Sequence, residues 1–320
     1  MKQPLHGIRN VVLLAGLGLT VFLWLAAPTR AATYTVTSAA DAVDANPGDG
    51  VCATAGSVCT LRAAVQEANA SAGDDVISFN PALTTITLSL AGQGEDAAAT
   101  GDLDLAAAGT AGRLTISGNG VSVAGAGLDR VFQILIGADV TLDSLTITAG
   151  QVTGAGGGVA SAGTLIMQQV TLTGNQAAQG GGLWVGNGQT TLRRSAVVAN
   201  QASAEGGGAY VSSGSQLSVN NSTVANNLAP NSAGGGLFSD FAGLTLFNVT
   251  VSGNSAAGDG GVSGSFSAKN SILIGNTGGD CGGTGFNSQG YNFVGVCTVG
   301  GSTTGNVTGA NPLGAFSGGV

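Results

Sequence analysis

Between residues 140 and 276 one pattern is written five times and begun a sixth: VTLDSLTITAG, LIMQQVTLTGN, TTLRRSAVVAN, LSVNNSTVANN, LTLFNVTVSGN, FSAKNSILIGN. Aligned on the closing positions Gly150, Asn175, Asn200, Asn227, Asn254 and Asn276, the steps are 25, 25, 27, 27 and 22 residues. Glycine clusters follow the rows at 156–158, 180–182, 206–208, 234–236 and 260–261. Self-similarity at such a period restricts the chain to architectures in which each repeat packs on its neighbours.

The columns decide which architecture. Three residues before each closing position stand Ile147, Leu172, Val197, Val224, Val251 and Leu273. Five residues earlier stand Leu142, Met167, Leu192, Val219, Leu246 and Ala268, and two before those Val140, Leu165, Thr190, Leu217, Leu244 and Phe266. Apolar and polar residues alternate with period two and β-branched residues are common, so the rows are strands. A third apolar column, Val159, Leu183, Ala209, Leu237 and Val262, follows the glycines. Three short strands per repeat without a helical segment describe one coil of a parallel β-helix, about 25 residues per coil. The general crossover preference makes it right-handed. The glycines supply corner conformations, and the closing Asn residues are expected at left-handed corners, with their amides stacked as a ladder. A leucine-rich repeat lacks its helical half here, and a propeller blade needs some 40 residues.

Composition agrees: 57 Gly in 320 residues, 8% charged and 43% hydrophobic, too apolar for a disordered Gly-rich linker. Residues 1–32 read as a secretory signal peptide, with Lys2 and Arg9 ahead of an apolar run from Val11 to Ala27 and small residues around Ala31 and Ala32. An uncleaved membrane anchor is the other reading. Removing that segment takes away His6, the only histidine, and leaves six Lys and Arg against seventeen acidic residues, a formal charge of −11. Such a chain does not hold nucleic acid or an anionic membrane surface by counterion release. The expected compartment is extracytoplasmic, secreted or at the cell surface.

Four cysteines in an exported chain are most simply two disulfides, Cys52–Cys59 and Cys281–Cys297 by local pairing. A four-thiolate metal site lacks paired CxxC spacing. Near the start, Thr60 can cap a short helix whose residues Leu61, Ala64, Val65 and Ala68 share one face. About three turns long, it must pack on something, and the open end of a β-helix offers an apolar cross-section with unpaired strand edges. The expected organisation is a cap over 33–80, coils over 81–276, and a closing segment over 277–320.

Here a resemblance enters. Tyr34 to Pro81, with Cys59-Thr-Leu-Arg-Ala-Ala-Val-Gln-Glu-Ala-Asn69, resembles the CSLREA domain, which begins many bacterial surface and secreted β-helix proteins; Thr60 and Ala63 depart from its motif. Gly279-Asp-Cys-Gly282 and Gly290-Tyr-Asn-Phe293 are similar to the choice-of-anchor Q region. The resemblance implies a bacterial surface β-helix and no particular reaction.

Residues with catalytic chemistry are sparse on the repeats: Arg193, Arg194, Glu205, Asp240, Asp259 and Lys269. A hydrolase needs two facing carboxylates and a lyase a cationic base, and neither arrangement stands out on the repeated coils. Without histidine no usual serine triad is available. Asp41, Asp44, Asn46 and Asp49 supply oxygens in a turn-dense loop, a candidate Ca²⁺ site or an ordinary Asx-rich turn. The sharpest signal is an aromatic stripe. If Leu183, Ala209 and Leu237 point inward, then Trp184, Tyr210 and Phe238 point outward on three consecutive coils, where they would stack on sugar rings, dock a surface protein, or pack on one another. The first expectation is a non-enzymatic adhesin-like rod binding polysaccharide or matrix. The alternatives are a polysaccharide lyase or hydrolase, and a purely structural module.

Overall fold

The computed structural model describes residues 31–106 and 112–309, apart from the side chain of Thr284. The signal segment expected over 1–32 therefore lies almost wholly outside the described residues, as does the last part of the closing segment. Among the described residues, parallel strands stack into sheets of sixteen, ten and four members, with one helix. The chain is a parallel β-helix.

Each row holds two strands and the corner between them. Asp139–Asp143 runs to Ser144, where φ is +55°, and Thr146–Thr148 runs to Ala149, where φ is +53°. On the next coil Thr164–Gln168 and Thr171–Thr173 repeat the path, with Gln169 and Gly174 at the corners. The registry is residue on residue. Val140, Leu165, Thr190, Leu217, Leu244 and Phe266 lie in one line, as do Leu142, Met167, Leu192, Val219, Leu246 and Ala268. Ile147, Leu172, Val197, Val224, Val251 and Leu273 form another. The post-glycine column Val159, Leu183, Ala209, Leu237 and Val262 completes the core, and all of these side chains are buried. Slipping any coil by one residue would turn its aliphatic set outward, so the pattern fixes the register.

Two features differ from expectation. Between closing Asn and glycine cluster the chain adds two-residue strands, Gln176–Ala177, Gln201–Ala202, Leu228–Ala229 and Ser255–Ala256, which form the four-stranded sheet. Two residues are too few to show a period. The closing Asn residues do not take the left-handed corners; the residues before them do, Gly174, Ala199, Asn226 and Gly253 at φ +55° to +67°. The expected amide ladder is nonetheless present: the side chains of Asn175, Asn200, Asn227 and Asn254 turn inward and are almost wholly buried. Each Nδ2 donates to the Oδ1 one coil on: Asn175 to Asn200 and Asn200 to Asn227 at 3.0 Å, Asn227 to Asn254 and Asn254 to Asn276 at 2.9 Å. Each Oδ1 also accepts the backbone N–H of the preceding Asn, and each Nδ2 reaches a carbonyl of the preceding coil, so the buried amides are satisfied. Asp280 ends the series, accepting from the backbone N–H and Nδ2 of Asn276 at 2.9 Å each. Replacing Asn200 with alanine strands several of these groups, each costing roughly 1–3 kcal/mol when left unpaired. We expect a loss of about 3 kcal/mol or more in urea unfolding; an unshifted midpoint would show the ladder to be dispensable.

The glycine clusters serve two ends. Gly180 opens its cluster at φ +61°, whereas a Cβ on Gly181 would stand 2.3 Å from the carbonyl oxygen of Gln201. The first needs the left-handed region and the second needs room for a neighbouring backbone.

The helix Leu61–Ala70 forms as expected, with the Thr60 hydroxyl accepting the N–H of Ala63 at 3.1 Å. It lies against the strands Thr33–Val36, Asp75–Phe79 and Leu103–Leu105 at the end of the rod. Its anchor is Arg62, which has no exposure: it pairs with Asp41 at 2.6 Å and donates to the carbonyls of Ala98, Asp102 and Gly101. Both local disulfides are present, Cys52–Cys59 and Cys281–Cys297. The same sheets continue on both sides of the positions 80 and 276. Thr33–Val36 and Asp75–Phe79 already belong to the long sheet, and Cys281–Gln289 extends it at the far end.

Candidate functional site

The outward residues of the post-glycine strands form one column. In register, coil by coil, stand Asp104, Gln133, Ala160, Trp184, Tyr210, Phe238 and Ser263. Their strand neighbours Leu103, Phe132, Val159, Leu183, Ala209 and Leu237 fill the core, so the alternation of the pleat turns the column to the surface. The structure thus aligns all three aromatics that the sequence singles out, but not as a uniform stripe. Tyr210 and Phe238 stack on each other, ring centroids 5.3 Å apart and 8° from parallel, and Tyr210 is only 9% exposed. Trp184 lies along its own strand over Gly186, where a Cβ would come within 1.9 Å of the indole. Glycine at 186 is what lets the ring lie down.

Size along the column makes a groove. Ala160 is small between Gln133 and Trp184, and around it opens a cavity of about 590 Å³. Trp184 forms one wall, Ala155, Ala162 and Ile136 line the sides, and Asp96, Arg130 and Gln133 close the other end. The polar end is a chain of contacts: Gln133 donates to Asp96 at 2.9 Å, and Arg130 donates to Gln133 and to Asp102.

Behind it sits a pair that the sequence reading missed. Asp104 lies on the three-residue strand Leu103–Leu105 and Asp102 immediately before it, and both are buried. Burial raises the carboxyl of Asp102 to about 7, helped by the charge of Asp104 and opposed by Arg130 at 3.3 Å. Burial also raises Asp104 to about 7; the N–H of Ala98 at 3.0 Å opposes this, and Glu95 and Asp96 add to it. Asp104 Oδ1 has no hydrogen-bond partner, as fits a carboxyl that holds a proton. Arg62 holds loop residues 98–101 from the helix side. Only the motif Asp102-Leu-Asp104 itself could have signalled it, and it lies outside the repeated rows.

Of the two readings of the loop holding Asp41, Asp44, Asn46 and Asp49, calcium site or Asx-rich turn, the bonds drawn there are those of a turn. Asp41 is committed to Arg62 and to the N–H groups of Ser89 and Leu90. Asp44 accepts from Asn46 and Ala53 at 2.8 Å each, and Asp49 from Val51 at 2.8 Å. Glu67 on the helix holds the same loop through the N–H groups of Gly48 and Gly50. These are turn and cap bonds, and among the described residues no three His, Cys, Asp or Glu side chains gather as metal ligands.

Comparison with family models, curated proteins and solved structures finds no match for this chain. What the site can do therefore rests on its geometry: a groove with an aromatic wall, an apolar floor, and an amide, a carboxylate and a guanidinium converging at one end. That combination suits a ligand with apolar faces and many hydroxyls.

Proposed function

We propose that this protein is an exported rod of the bacterial cell surface or its surroundings that binds glycans along its post-glycine face. The observation that carries the reading is the groove at Ala160, with the indole of Trp184 on one side and Asp96, Gln133 and Arg130 on the other. A pyranose ring laid on the indole would turn its hydroxyls toward those polar groups. Two disulfides fit an oxidising compartment, and among the described residues no helix is long and apolar enough to cross a membrane. The resemblance of the first strand and helix to the CSLREA domain supports a surface setting.

Trp184 is the sole tryptophan once residues 1–32 are removed, because the other is Trp24. Binding in the groove is therefore expected to change the intrinsic fluorescence. On a glycan array the protein should select a set of saccharides, and Trp184→Ala should weaken them about tenfold or more through loss of stacking and apolar contact. A blank array with silent fluorescence would remove the reading.

A polysaccharide hydrolase is the second reading, because carboxyls protonated near neutral pH beside a groove are what a general acid requires. In this structure Asp102 and Asp104 are buried, with the N–H of Ala98 on Asp104, and Asp96 is the carboxylate lining the groove. Release of reducing ends from an array-positive glycan, abolished by Asp104→Asn, would favour hydrolysis over binding alone.

A further inference from the structure

We infer that the ligand is a linear, neutral polysaccharide lying along the rod axis across about six coils, from Gln133 to Ser263. This rests on the glycan-binding reading and extends it. The groove at Ala160 is not alone on the column. Beyond the Tyr210–Phe238 stack a second depression of about 180 Å³ opens against Phe238, Asp240, Phe241 and Ser263. Two hollows on either side of the Tyr210–Phe238 stack, on one straight line of in-register residues, fit an extended chain better than a compact sugar. At roughly 4.8 Å per coil the line is about 24 Å long.

Phe241 adds an independent observation. It protrudes with 77% of its surface exposed and sits at φ +48°, in a strand whose register shifts between Ser239 and Leu244. A large aromatic set at a corner with so much of its surface in solvent is available to a partner. Asparagine would occupy this backbone more comfortably.

Charge selects the class. Beside the column stand Asp96, Asp240 and Asp259, each reaching a column residue or lining a hollow, and the charge of Glu205 acts on Tyr210. The one cation there, Arg130, is already bonded to Asp102. A polyuronate would meet net repulsion along the whole path.

The test uses the chain without residues 1–32 and soluble β-1,4-linked gluco-, manno- and N-acetylglucosamine oligosaccharides from dimer to hexamer, with oligogalacturonides as the anionic series, titrated by tryptophan fluorescence and calorimetry. In at least one neutral series, affinity should rise about tenfold or more from dimer to hexamer. Phe241→Asn should weaken the hexamer severalfold and leave the dimer unchanged, while Trp184→Ala weakens both. Equal affinity for dimer and hexamer, with Phe241→Asn silent, would overturn the extended site and leave the groove reading intact. Tighter binding of oligogalacturonides would overturn the neutral class. Binding of no series overturns this inference too, and the array result then decides whether glycan binding survives.

Discussion

Replacing Arg62 with alanine should cost about 3–5 kcal/mol of stability, the range expected when one partner of a buried ion pair is removed. The guanidinium has no exposure and joins three segments: the acidic loop through Asp41, loop residues 98–101 through the carbonyls of Ala98 and Gly101, and the edge strand through the carbonyl of Asp102. Without it the Asp41 charge stays buried with only the N–H groups of Ser89 and Leu90, and the carbonyls of Gly101 and Asp102 lose their donor while that of Ala98 keeps Gln66 Nε2 at 3.2 Å. Since the helix is only ten residues long and cannot persist unsupported, the cap should come away as a unit. Denaturant unfolding would show the lower midpoint, and hydrogen exchange should be fastest at residues 61–70. Arg62→Ala with Asp41→Ala should recover part of the loss, because the uncompensated charge is gone. Equal losses in the single and double variants would contradict this account.

The second large effect is in pH. Asp102 and Asp104 ordinarily titrate near 3.8 and are raised to about 7 in the folded protein, by burial first. The native state therefore holds these protons more tightly than the unfolded chain. Their contribution is fully present below about pH 4 and is lost as pH rises through about 7. The charges facing them act in both directions: Asp104 and Asp129 on Asp102, Glu95 and Asp96 on Asp104, and Arg130 against the rise at both. Stability should be higher at pH 5 than at pH 8 by several kcal/mol, given about 1.4 kcal/mol per unit for each group. Asp104→Asn keeps the shape without the charge, so it should match the wild type at pH 5 and exceed it at pH 8. Thermal unfolding at the two pH values decides the matter; a wild type equally stable at both would mean the pair is solvated.

Much of the architecture was legible because a solenoid writes its core once per coil. Ile147, Leu172, Val197 and Val224 stand one above another because each coil must hide the same face, and repetition lets weak local patterns add. The helix at Thr60 and both disulfides were legible for local reasons, a cap residue with an apolar face and short cysteine separations. The misses are equally physical. The ladder of stacked closing Asn amides was legible, but their backbone was not: the left-handed turn falls to the residue before each, Gly174, Ala199, Asn226 or Gly253. Asp104 lies on the strand Leu103–Leu105, with Asp102 just before it; the strand is three residues long and precedes the regular coils, so no column drew attention to them. The outward direction of Trp184, Tyr210 and Phe238 followed from alternation, but the groove did not. It arises from the small side chain of Ala160 one coil away, a feature of stacking that no single row contains.

The inward Asn series has a consequence for how such a molecule changes length. Every amide gives to the rung ahead and takes from the rung behind, so the upper and lower faces of a coil are chemically interchangeable with those of its neighbours. Excising or duplicating one whole period, such as residues 176–200, rejoins like to like, whereas a cut of any other size breaks the succession. Reach is thus counted in integers of one coil, and can change without redesign of either terminus.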